Sequence, residues 1–111
     1  MAEAITTPEV GMGATYAVGS DRYACTIVEV LYFKSGARRG QIRGVVAQDD
    51  EAIRVSGSEQ DGSATYRYEA RPNAGKDVYL WNEDRQRFIL KGASYVRLGL
   101  GHRSYYRNPS F

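Results

Sequence analysis

Cysteine occurs once, at Cys25, and histidine once, at His102. One thiol cannot close an internal disulfide, so the fold must hold through its core or through self-association, and the expected setting is a reducing, cytoplasmic one. One His and one Cys cannot build the usual four-ligand zinc site either, and no metal or other cofactor is expected. Long apolar runs are missing. A run such as Val30-Leu31-Tyr32-Phe33, which no other exceeds, falls far short of the roughly 20 residues that a membrane-crossing helix requires. The opening, Met1 to Pro8, has neither the basic start nor the apolar stretch of a secretory signal. Phosphate-binding loops are missing too. Gly11-Met12-Gly13 begins like a dinucleotide loop, but Tyr16 stands where the third glycine belongs and no helical pattern follows; a G-x-x-x-x-G-K-[ST] loop is absent.

Glycine and tyrosine are plentiful, at 12 and nine, against three prolines. With 42% hydrophobic and 25% charged residues in 111, the composition is that of one folded domain, with residues 1–10 a flexible entry. Apolar spacing at period two recurs along the chain, while no stretch beyond about ten residues keeps the helical spacing. The expected class is all-β. Strands are expected near Ala14 to Val18, Tyr23 to Phe33, Gln41 to Gln48, Ala52 to Ser56, Thr65 to Glu69, Val78 to Trp81, Arg87 to Leu90 and Tyr95 to Leu98. In the second, Cys25, Ile27, Leu31 and Phe33 share one face by alternation. Residues 57–63 are polar and expected as a flexible surface loop, and Asp49-Asp50-Glu51 as a small solvated turn. Seven or eight short strands in so small a chain imply a strongly bent antiparallel sheet or an SH3-like barrel.

Charge is concentrated at one end. Residues 1–84 hold nine Lys and Arg against all thirteen Asp and Glu, whereas residues 85–111 hold six basic residues and no acidic one. Such a segment attracts phosphates, docks on an acidic partner, or docks on the acidic remainder of its own fold. Its last part interleaves cations with rings: Arg97, His102, Arg103, Tyr105, Tyr106 and Arg107. Arginine forks grip phosphates and tyrosine rings stack on bases, the residue types of a nucleotide or single-strand surface. The alternative is that Tyr105, Tyr106 and Phe111 plug an end of the barrel. The loop Lys34 to Gly40 adds a second basic patch through Arg38 and Arg39.

Catalytic constellations are not evident. His102 lacks an ordered nucleophile and carboxylate at supporting spacing, and Cys25 between Ala24 and Thr26 reads as a buried, inert thiol. The strand Val78 to Trp81 is apolar on both faces; if Val78 and Leu80 form the core, Tyr79 and Trp81 are exposed as an interface.

Gly11-x-Gly13-Ala14-Thr15, Ser20-Asp21-Arg22-x-Ala24-x-Thr26-Ile27-Val28-Glu29-Val30, Tyr66-x-Tyr68 and Gly101-x-Arg103-x-x-Tyr106-x-x-Pro109-x-Phe111 together resemble a group of small phage and prophage proteins. The resemblance covers most of the chain. It implies an accessory protein of phage or mobile-element origin that binds and blocks a host component, such as a defence effector or its nucleotide signal. The leading expectation is a non-enzymatic module capturing single-stranded nucleic acid or a nucleotide through Arg97, His102, Arg103, Tyr105, Tyr106 and Arg107, with Arg38 and Arg39 as the second patch. The rival expectation is a module that inhibits a host protein through Tyr79, Trp81, Asp49, Asp50 and Glu51. Self-association stays open under both.

Overall fold

The computed structural model describes residues 7–58 and 63–106. Eight strands follow in order: β1 (Gly13–Val18), β2 (Asp21–Tyr32), β3 (Ile42–Asp49), β4 (Glu51–Ser56), β5 (Thr65–Glu69), β6 (Lys76–Asn82), β7 (Arg87–Leu90) and β8 (Arg97–Leu100). There is no helix among the described residues. Strands β1-β2-β3-β6-β7-β8 form a closed antiparallel barrel, with β8 pairing back onto β1. Closure leaves the barrel itself without an open sheet edge, the hazard that a small open sheet has to protect. Strands β4 and β5 pair only with each other and form a two-stranded ribbon inserted between β3 and β6. The all-β expectation therefore holds, in the form of a six-stranded barrel carrying a hairpin.

Local chemistry explains the connections. Val18 pairs with Asp21 across the two-residue loop Gly19-Ser20, and Gly19 has φ 60°. A positive φ at the first central position is the pattern of a type II′ hairpin turn, which glycine adopts without steric cost. The β6–β7 turn uses a different device: the Asn82 side chain accepts the Arg85 amide at 2.9 Å, and Gln86 takes a left-handed φ of 53° just before Arg87.

The core gathers Ala14, Cys25, Ile27, Val45, Ala47, Tyr79, Phe88, Val96 and Leu98, with Tyr16, Val30, Trp81 and Leu100 packed against it. Alternation along β2 is broken where it was expected to run on. The register with β3 shifts between Ile27 and Glu29, a β-bulge at Val28. One extra residue exchanges the two faces of a strand, so Val30, not Leu31, follows Cys25 and Ile27 into the core. A second correction concerns Tyr79, which is 1% exposed and packs opposite Val45 inside the barrel. Trp81 follows it inward, its ring 5.0 Å from that of Phe88. Tyr79 is thus unable to anchor a partner. The third concerns the last strand, which begins at Arg97; Tyr95 sits in the preceding turn at 73% exposure while Val96 is buried.

Candidate phosphate-binding surface

After β8 the chain crosses the outside of the barrel as a strap, residues 101–106. The Gly101 amide donates to Gly13 at 2.9 Å, and Arg22 and Tyr106 exchange backbone bonds at 2.7 and 2.8 Å. The Thr15 hydroxyl donates to the His102 carbonyl at 2.9 Å. Arg103 Nε donates to Asp50 Oδ2 at 2.7 Å, and its terminal nitrogen to the Thr26 hydroxyl at 3.0 Å. Tyr105 packs edge-on against Tyr23 and Tyr66, ring centres 6.0 and 4.7 Å away. The strap therefore ties β1, β2 and the ribbon together.

Those contacts divide the expected site residues into groups. Arg103 and Tyr105 are engaged internally, while Tyr106 pairs through its backbone and is 40% exposed. Arg38 pairs with Glu83 at 2.9 Å and stacks over Phe33, and it lines a separate depression with Trp81 and Phe88; Arg39 lies exposed in the neighbouring turn. Arg97 and His102 remain available to solvent on one face. Arg107, residues 1–6, most of the 57–63 loop and the ending after Tyr106 lie outside the described residues.

Two adjoining depressions mark that face. One, of about 430 Å³, is lined by Arg85, Arg87, Ile89, Ser94, Tyr95 and Arg97. The other, of about 310 Å³, is lined by Thr15, Arg22, Arg87, Arg97, Gly99 and His102 among others. They share Arg87 and Arg97, and no carboxylate lines either. Strand geometry produces this convergence. Phe88 pairs with Leu98 and both point inward, so their neighbours Arg87 and Arg97 both point outward. Arg22, Arg87 and Arg97 make no ion pair with the described residues. Arg22 and Arg87 escaped the sequence reading because their neighbourhood depends on barrel closure. The signal at hand was weaker: Arg85, Arg87 and Arg97 all belong to the acid-free end of the chain.

Asp49, Asp50 and Glu51 are not a solvated turn. They lie where the chain leaves the barrel for the ribbon, and the Asp50 side chain is 4% exposed. Beside them, Tyr16, Tyr23, Asp49, Arg71 and Tyr105 line a cavity of about 320 Å³. The Tyr16 hydroxyl donates to Asp49 at 3.0 Å and its ring stacks on Tyr23 at 5.1 Å. Burial raises the Asp49 carboxyl above its usual range, and this outweighs the opposing hydrogen bond from Tyr16; the nearby charge of Asp77 raises it further. Burial also pushes the Cys25 thiol up to about 12, helped by the charges of Asp49 and Asp50, which keeps it protonated and unreactive.

A raised carboxyl binds its proton more tightly in the folded chain than in the unfolded one. Its ionisation therefore weakens the fold as pH rises from the ordinary carboxylate range through the folded value, and the penalty is complete above that. Asp49→Asn retains an acceptor for Tyr16 and removes the charge. The variant is expected to match the parent in melting temperature at acid pH and to exceed it at neutral pH. Thermal melts of both proteins across that range check the widening gap.

Comparison with protein-family models, with curated proteins and with solved structures returns no match for the chain.

Proposed function

We propose that the chain is a non-enzymatic binding module that holds a phosphate-bearing ligand of the nucleic-acid class on the outer face of β1, β8 and β7. The observation that carries this reading is the pair of adjoining depressions sharing Arg87 and Arg97, lined by further cations and by no carboxylate. The guanidinium groups of Arg22, Arg87 and Arg97, which line a common depression and form no ion pair with the described residues, repel one another, and an anion with several oxygens relieves that repulsion while accepting forked hydrogen bonds. Tyr95, 73% exposed at the rim, offers a ring face on which a base stacks. The non-enzymatic reading is supported by His102, which is held through its backbone carbonyl and whose ring has no hydrogen bond to a nucleophile or carboxylate among the described residues.

Titration of the purified protein into fluorescently labelled single-stranded and duplex oligonucleotides, at low and at physiological salt, tests the reading. Saturable binding is expected, with affinity falling steeply with salt; for a single strand, each phosphate neutralised adds about 0.7 to the logarithmic slope. Absence of binding at low salt overturns it.

A further inference from the structure

Resting on that reading, we infer that the depression over Gly99 seats a terminal phosphomonoester, so that the module prefers a phosphorylated strand end to the interior of a strand. The two depressions are built differently. The one over Ile89 is bordered by the exposed ring of Tyr95, and its Arg85 guanidinium is partly engaged, donating to the Ser94 carbonyl at 3.0 Å. The one over Gly99 gathers Arg22, Arg87, Arg97 and His102, and Gly99, a residue without a side chain, forms part of its lining. A β-carbon placed at Gly99 would meet nothing nearer than the His102 ring at 3.7 Å and the Thr15 carbonyl at 3.8 Å. Both are ordinary contact distances, so a side chain can be accommodated at Gly99 without a clash, and the backbone there carries no left-handed strain.

Charge decides which phosphate fits. An internal phosphodiester carries one negative charge, whereas a monoester carries about −1.5 to −2 near neutral pH and has three terminal oxygens. Three guanidinium groups around one small depression match the second better than the first. The shared residues Arg87 and Arg97 then lie between the seated end and the next unit of the strand, whose base reaches Tyr95. The strap closes one side of the seat through His102, held by the bond from Thr15 to its carbonyl.

The test compares one short oligothymidylate carrying a 5′-phosphate, a 3′-phosphate, or hydroxyls at both ends, by fluorescence anisotropy with the full chain. One phosphorylated form is expected to bind about tenfold or more tightly than the hydroxyl-ended strand, the effect of one added charge-assisted contact. Gly99→Val fills the seat while removing no charge, and is expected to erase the preference, bringing the phosphorylated strands to the affinity of the hydroxyl-ended one. Arg22→Gln, an exposed side chain whose backbone bonds survive the change, is the second variant and is expected to weaken the phosphorylated strand more than the hydroxyl-ended one, narrowing the preference on top of the uniform loss that removing one charge brings. Competition by thymidine monophosphate as strong as that of the phosphorylated strand supports the seat and assigns it to free nucleotides; weaker competition supports it and assigns it to strand ends. Equal affinity for all three strands overturns the seat but leaves the phosphate-binding reading standing. Loss of every strand's binding at low salt overturns both.

Discussion

Arg103→Ala is expected to destabilise the protein by about 3 kcal/mol, because it strands a carboxylate inside the fold. The Asp50 side chain is 4% exposed and its partners are Arg103 at 2.7 Å and the Thr26 hydroxyl at 2.7 Å. Removing one member of a buried pair typically costs about 3–5 kcal/mol, and the lower end applies because the Arg103 side chain is itself 34% exposed. In a chain of this length that is a drop of about 10–15 °C in melting temperature. The variant Asp50→Asn/Arg103→Ala removes the stranded charge as well and should recover a clear part of the loss. Urea unfolding of the two variants decides the matter: identical midpoints would show that the stranded charge is not the cause. Gly13 belongs to the same clasp, since a β-carbon there would lie 2.6 Å from the Arg103 guanidinium. Any side chain at Gly13 therefore requires the Arg103 side chain to shift.

This clasp also shows what a linear reading of charge misses. Along the sequence, Arg103 is one more cation in an acid-free tail, and Asp50 is the middle of a polar triplet. Their partnership spans 53 positions and exists only because β8 closes onto β1, which lays the strap beside the start of the ribbon. Short-range features were readable for the opposite reason. Thr65-Tyr66-Arg67-Tyr68-Glu69 alternates because the ribbon has one face toward the barrel, where Tyr66 meets Tyr105, and one toward water. The interior of β2 was half readable. Cys25 and Ile27 point inward as alternation requires, but the bulge at Val28 leaves no mark in composition, and beyond it the predicted face is the wrong one. Tyr79 and Trp81 were open between two faces because Val78 and Leu80 are equally apolar. Barrel closure resolves them by placing Tyr79 opposite Val45 and Leu90, inside the ring of strands.

The second large effect separates the proposed surface from cationic character in general. Arg87→Glu/Arg97→Glu is expected to weaken oligonucleotide binding by about 100-fold or more, since each lost charge-assisted hydrogen bond accounts for about 1.5–3 kcal/mol and each introduced carboxylate repels the phosphates. Stability should hardly change, because both side chains point outward and neither forms an ion pair with the described residues. The matched comparison is Arg38→Glu/Arg39→Glu, which alters net charge by the same amount at the other patch. Arg38 is already paired with Glu83, and it shares no depression with Arg87 or Arg97. That variant is expected to lose only the small, uniform part of affinity that follows from net charge. If both double variants weaken binding equally, the protein attracts nucleic acid by overall charge and the shared depressions play no part. If only the first does, recognition lies where Arg87 of β7 and Arg97 of β8 line the two depressions together.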